Sequence, residues 1–368
     1  MEIDATQAVP FLTTQAELTA FLDTCDSGDL CCVDTEADSL YSFREKVCLI
    51  QFACGERLAL IDPLTISDMS PLLDFLEASP EVWMHGADYD MSILNRTYDR
   101  VPGRVYDTQI AARLAGWRTF GLAHLISESF GLELSKQSQK KNWGERPLPH
   151  KMLEYAANDV RYILPLAQIF KDKLDSLGRW DWFLQSCDAA RVQVMARKEK
   201  SREESWRISG YGKLKPRSLG YLRALWRWRD EIAERRDKPP FKILANDQLL
   251  KMSLSLTHGD DVQLPPRFRT QQRRRFEEMV KEAKELPDGD LPIRLRGKRL
   301  AKAEDWEPIF GSLKANREKA AAELDLEAAI ISSKASMETF AFAEPKDRTD
   351  ELRNQLFLPW QRALLFPS

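Results

Sequence analysis

Two carboxylates at alternate positions close an apolar run in CCVDTEADSL, residues 31–40. On a strand, residues i and i+2 share a face, so Asp34 and Glu36 project side by side at a strand end. Charges this close repel unless a cation or a shared proton intervenes. Oxygen donors alone suit Mg²⁺ or Mn²⁺ rather than Zn²⁺. A lone D-x-E is more often a solvated surface pair, but two later stretches change that balance. HGADYDMSILN (85–95) sets Asp88 and Asp90 behind an apolar strand, at the start of a helix. YAANDVRY (155–162) spaces Tyr155 and Asp159 four apart, on one helix face. Asp38 continues the alternation of acids and is expected to line the rim or face solvent.

The chain that must position these groups has 368 residues, 43% hydrophobic and 30% charged, which favours two or three domains with real cores. No apolar run approaches the length of a membrane span. The opening residues MEIDATQAVP have neither the basic region nor the apolar core of a signal. Six cysteines form no C-x-x-C pair or zinc spacing and read as buried thiols in a reducing compartment. A cytoplasmic protein without a membrane partner is expected, with a monomer favoured. Residues 1–110 carry 20 Asp+Glu against 6 Lys+Arg, or −14; with a chain total of −3, the remainder carries +11. An acidic front joined to a basic back suits a cation-binding part and a polyanion-binding part.

Local signals divide the front half into short elements. Thr14 followed by Glu17 is a capping box for a helix within 10–24. Leu30–Val33, Val47–Ala53, Leu58–Ile61 and Val82–His85 read as strands. Ser70 before Pro71 reads as a helix cap, and Asp107 as the cap of DTQIAARLAG. Residues 147–177 read as one long helix kinked at Pro165 and ended by Gly178. The layout is mixed α/β, then helical.

In order and context, Asp34-Thr35-Glu36, His85 with Asp90 five residues on, and Tyr155-x-x-x-Asp159 resemble the DEDD exonucleases, in the branch with Tyr in the third motif. LIQFACGERLALIDPL (49–64), DTQIAARLAG (107–116) and GLAHLISESFGLELSKQSQKKNWGERPL (121–148) are similar to the ribonuclease D family. The resemblance implies an α/β ribonuclease H-like exonuclease domain, a mixed sheet flanked by helices, followed by two small all-α HRDC-type helical domains. It implies that Asp34, Glu36, Asp90 and Asp159 hold two divalent metal ions, Mg²⁺ or Mn²⁺, about 4 Å apart. Asp34 would bridge both, Asp90 would serve the ion near the leaving 3′-oxygen, and Glu36 and Asp159 the other. Tyr155 would orient the attacking water; a phenol with pKa near 10 is a poor base at neutral pH. The implied activity is 3′→5′ hydrolysis of RNA ends, releasing nucleoside 5′-monophosphates, with tRNA precursors as the usual substrate class. The spacing from His85 favours Asp90 over Asp88 as the ligand. His85 is a candidate substrate contact, and Lys136, Lys140 and Lys141 with Trp143 are candidates for phosphate binding and base stacking.

The back half repeats itself. Residues 222–253 align without gaps on 310–341, pairing Arg229 with Arg317, Asp237 with Asp325 and Ile243 with Ile331. This reads as a duplicated helical domain. The expected boundaries are 1–195 for the exonuclease, 196–212 for a linker, 213–290 for the first HRDC domain and 296–368 for a divergent second. KLKPRSLGYLRALWRWR (213–229) carries six Lys or Arg and no acid. Arg217, Trp226 and Arg227 are therefore candidate RNA contacts, with RFRTQQRRR (267–275) and RLRGKRLAK (294–302) as further basic stretches. The alternatives are a DNA 3′→5′ exonuclease, disfavoured by the lack of a G-x-x-x-x-G-K-[ST] helicase loop, and a non-catalytic RNA-binding protein, disfavoured by the complete acidic set.

Overall fold

The computed structural model describes residues 9–26, 28–135, 137–197, 201–295 and 301–367. They divide into two compact units, one within Met1–Ala37, Val47–Arg197 and Leu300–Ser368, the other within Asp38–Lys46 and Lys198–Arg299.

The first unit is built on a six-stranded sheet: β1 (Phe11–Leu12), β2 (Cys31–Ala37), β3 (Val47–Cys54), β4 (Arg57–Ile61), β5 (Val82–Met84) and β6 (Val105–Asp107). Their order is β1-β4-β3-β2-β5-β6, with β2, β3 and β4 antiparallel neighbours and the remaining pairings parallel. Helices α1 (Gln15–Leu22), α2 (Ser70–Ala78), α3 (Asp88–Tyr98), α4 (Thr108–Leu114), α5 (Leu122–Phe130), α6 (His150–Arg161), α7 (Ile163–Ser176) and α8 (Trp180–Met195) flank it. Ile50, Phe52 and Val33 share an apolar core with Leu18, Leu72 and Met91, while Leu49 and Leu60 pack with Met152 and Ala156 of α6. A sheet covered on both faces needs strands without a polar side, which is why VCLIQFAC is buried at every position.

The capping box of α1 forms as expected: Glu17 N donates to Thr14 Oγ1 and Thr14 N to Glu17 Oε2. Ser70 is not a side-chain cap; it is the first residue of α2, and its N–H is taken by Asp68 Oδ1 at 2.9 Å. The strand expected at Leu30–Val33 runs on to Ala37, with a register shift between Glu36 and Ala37. Asp34 and Glu36 therefore stand on the strand itself. The long helix is two helices broken at Tyr162, since Pro165 in the first turn of α7 offers no N–H to the carbonyl of Arg161.

The same unit includes α13 (Trp306–Leu324), α14 (Ala328–Ile331), α15 (Lys334–Phe342), α16 (Asp350–Leu356) and α17 (Pro359–Leu365) in the second repeat. The buried Arg179 donates to Leu114 O and to Leu324 O, both at 2.7 Å, and Trp182 stacks on Trp360 at 4.9 Å. Leu313, Ile331 and Phe340 belong to one continuous core with Leu125, Phe170 and Phe183.

The second unit holds α9 (Pro216–Arg235), α10 (Pro240–Ile243), α11 (Asn246–His258) and α12 (Thr270–Glu285) around its own core. Residues 38–46 group with it: Phe43 N donates to Asp237 Oδ1 at 2.9 Å and Lys242 Nζ lies 4.3 Å over the Tyr41 ring. The expected linker is part of this core too, because Trp206 and Ile208 are buried in it. The repeat is visible atom by atom. Arg229 Nη1 donates to Leu244 O and Arg317 Nη1 to Ser332 O, with Asp237 (φ 43°) and Asp325 (φ 50°) at matching left-handed turns.

Candidate active site

Asp34 and Glu36 on β2, Asp90 in the first turn of α3, and Tyr155 and Asp159 on α6 line one cleft of about 450 Å³, with His85, Tyr89, Gly121, Leu134, Ser135 and Gln139. Each group arrives by a separate local device. Helix α6 buries Met152, Ala156 and Val160, which leaves Tyr155 and Asp159 one turn apart toward the cleft. Asp90 is set by the turn that precedes α3. There the carboxylate of Asp107 accepts from Gly86 N and Ala87 N, both at 2.9 Å, and from Gln109 N at 2.7 Å. Gly86 sits at φ 68°, where a side chain would be strained. Asp107 is thus a helix cap, as expected, and also the anchor of the segment that carries Asp90.

The electrostatics report four acids crowded into little water. Burial, and then the fields of Asp90, Asp159 and Glu36, hold the Asp34 carboxyl well above the usual range. Burial with Asp159 and Asp90 pushes Glu36 up to about 9. Burial raises Asp159 to about 7 despite its hydrogen bond from Tyr155, and Asp90 to about 6 despite Thr35. The Tyr155 phenol is itself raised by burial and by the neighbouring acids, so it stays protonated and donates.

Thr35, between the two acids, was not singled out as a contributor by the sequence pattern, yet it holds Asp90. Its backbone N and Oγ1 both donate to Asp90 Oδ1, at 3.1 and 2.5 Å. Among the described residues, no three His, Cys, Asp or Glu side chains stand in a ready-made coordination shell. Asp90 is turned to Thr35, Asp159 to Tyr155, and like charges keep apart. The donor set, buried Asp90 with half-buried Asp34, Glu36 and Asp159, offers oxygen ligands only and fits a hard divalent cation. A cation there would offset the burial and mutual repulsion that raise these carboxyls above their ordinary values.

The remaining candidates separate clearly. Asp88 faces away into a bidentate pair with Arg197 at 2.7 and 2.5 Å, so it is not free to act as a ligand. Asp38 is corrected: it is 1% exposed rather than solvent-facing, and accepts from Lys46 N at 2.9 Å and Ser42 Oγ at 2.6 Å. Burial raises its carboxyl, but these bonds and Lys46 outweigh burial and leave it below the usual range. His85 Nδ1 lies 2.8 Å from Thr108 Oγ1, which itself donates to Met84 O. The imidazole therefore donates through Nδ1, and burial lowers its pKa despite Asp107, leaving a neutral ring whose Nε2 accepts.

Trp143 is corrected as a base-stacking residue: it is 1% exposed and packed in the core beside Tyr155. Lys140 is exposed, Lys136 lies outside the described residues, and Lys141 lines a neighbouring cleft of about 650 Å³ that shares Leu134, Ser135, Tyr155 and Asp159. In the helical unit, Trp226 is buried and offers no face to a base. Arg217 is occupied by Leu286 O and Asp288, closing the end of α12, whereas Arg227 is exposed. Basic and aromatic residues interleave in sequence there, but helical periodicity sends the aromatics inward.

Residues 9–175 match the family model of the 3′-5′ exonuclease, and residues 218–258 that of the HRDC domain. The ribonuclease D of Haemophilus influenzae is 32% identical over 254 residues, covering 67% of this chain and 63% of that relative. The ribonuclease D of Gluconacetobacter diazotrophicus is 29% identical over 299 residues, covering 78% and 75%. The chain thus spans just under two thirds of the first relative's length. The crystal structure of Escherichia coli RNase D, an exoribonuclease involved in structured RNA processing, superposes with a TM-score of 0.72 at 24% identity over 98% of this chain and 100% of that one. The DEDD exonuclease fold is metal-dependent. No described helix is long and apolar enough to cross a membrane. With a match to the 3′-5′ exonuclease model ahead of a match to the HRDC model, the chain is similar to the ribonucleases D.

Proposed function

We propose that this protein is a metal-dependent 3′→5′ exoribonuclease that trims the 3′ ends of structured RNAs, tRNA precursors among them, and releases nucleoside 5′-monophosphates. The observation that carries the reading is the meeting of Asp34, Glu36, Asp90, Asp159 and Tyr155 around one cleft from three separate elements. The four carboxylates would hold Mg²⁺ or Mn²⁺, two ions in the reading favoured here. Bound there, divalent ions make water more acidic and neutralise charge developing at phosphorus.

The chain's own groups do the rest. Tyr155, protonated, donates its one O–H to Asp159, so its phenolic oxygen can orient a water only by accepting from it, without removing its proton. Thr35 fixes the direction of Asp90. His85 Nε2, an acceptor at the cleft, suits a ribose hydroxyl. Exposed Arg227 and Lys140 serve phosphates farther from the end.

The test uses 5′-labelled RNA. Stepwise shortening with Mg²⁺ or Mn²⁺, abolished by EDTA and by Asp34→Asn or Asp159→Asn, is the expected result. Full activity in either variant refutes the site. DNA of matched sequence, run beside it, separates the exoribonuclease from a DNA exonuclease.

A further inference from the structure

A carboxamide stands buried and unpaired on the strand next to Asp34. Gln51 on β3 is 0% exposed, and neither its Oε1 nor its Nε2 has a hydrogen-bond partner. Leaving such a group unsatisfied is costly, so each instance calls for an explanation.

The sheet register narrows that explanation. Gln51 lies opposite Asp34 across the β2–β3 ladder and opposite Leu60 across β3–β4. Directly opposed residues send their side chains to the same face, with Cβ atoms about 4.5–5.5 Å apart. Along β3, the same-face neighbours are Leu49 and Ala53. Of these four neighbours, three are apolar and the fourth is Asp34. From its Cβ, a glutamine amide extends far enough to reach a carboxylate at that spacing. Packing alone would be served as well by leucine or methionine.

We propose that Gln51 is a positioning residue for Asp34. Its Nε2–H donates to the Asp34 carboxylate once that carboxylate takes up a divalent cation, and it holds the oxygens aimed into the cleft. An amide suits the task because it donates without adding a charge to a site that already holds four acids. Carboxylates that ligate metals are themselves held by hydrogen bonds, and loss of such a partner weakens metal affinity or activity about 10–100-fold. The inference rests on Asp34 being a metal ligand.

The experiment compares wild type, Gln51→Met and Asp34→Asn in the full chain. It measures Mn²⁺ affinity by calorimetry, thermal unfolding in EDTA, and stepwise shortening of 5′-labelled RNA. Gln51→Met is expected to unfold in EDTA at or above the wild-type temperature, because an unsatisfied amide has been removed. Its Mn²⁺ affinity falls about 10-fold or more, and kcat falls while KM for RNA holds. Wild-type Mn²⁺ affinity and kcat in Gln51→Met overturn the proposal. So does a fall in EDTA melting temperature that accompanies the loss, since that marks a packing role only. Gln51→Leu repeats the test if the methionine variant does not fold. Asp34→Asn separates the two failures. If it binds Mn²⁺ like wild type, the metal-site reading is wrong; if it loses Mn²⁺ while Gln51→Met keeps it, only the role of Gln51 is wrong.

Discussion

Thr35 donates twice to a single oxygen of Asp90, once from its backbone and once from its hydroxyl, across 55 positions of sequence. The residue between the two strand acids thereby fixes the third acid. Thr35→Val keeps the shape and the backbone bond but removes the hydroxyl. A hydrogen bond to a charged group is worth about 1.5–3 kcal/mol, so the melting temperature should fall measurably. The rate should fall about 10-fold with KM for RNA little changed. Steady-state kinetics with an unaltered kcat would remove Thr35 from the site.

The raised carboxyls give a pH signature. Asp34, Glu36 and Asp159 are held above their ordinary values by burial and by neighbouring carboxylates, Asp90 among them. In the unfolded chain they return to about 4. A group with a raised folded pKa binds its proton better when folded, so its stabilisation is full at low pH and fades as pH rises toward the folded value. In EDTA the melting temperature should therefore decline from roughly pH 4 to pH 9. The stabilisation given by Mg²⁺ should widen over the same window, because ligands must lose protons to bind it. A gap between the two melting curves that stays constant with pH would contradict this.

Asp88 and Asp90 should behave oppositely. Asp88→Asn breaks an exposed, solvent-screened pair with Arg197 and should leave nuclease activity intact. Asp90→Asn should abolish it. Parallel rate assays decide the point, and a dead Asp88→Asn enzyme would reverse the ligand assignment.

In the helical unit, neighbouring residues should have unrelated phenotypes. Trp226→Ala opens the core and should cost about 3–5 kcal/mol of that unit's stability, read by denaturant unfolding. Arg227→Ala should leave stability alone, weaken RNA binding and lower the salt slope by about one phosphate contact. A stable Trp226→Ala variant that binds RNA poorly would restore the tryptophan to the surface.

Much of the site was legible because its residues obey local rules. Asp34 and Glu36 follow strand alternation, Tyr155 and Asp159 follow helical spacing, and Asp107 sits where a cap must. The repeat was legible for the same reason: Arg229 and Arg317 each tie down the carbonyl that lies 15 residues on. What local pattern could not supply were pairings set by tertiary folding. Thr35 with Asp90, Asp38 with Lys46, and the burial of Trp143 and Trp226 all depend on what the fold brings alongside. A basic-aromatic string has one appearance whether its rings face water or a core, and here helix periodicity decided.

The two copies of the helical repeat differ in how far each encloses its own core. The first is closed around its own core, with residues 38–46 grouped in the same unit, and to that extent is autonomous. The second has given that autonomy up, since Arg179 serves carbonyls of both the sheet domain and α13, and Leu313, Ile331 and Phe340 complete a core begun elsewhere in the chain. Of two helical segments alike in pattern, one stands on its own and the other serves as a wall of the sheet domain.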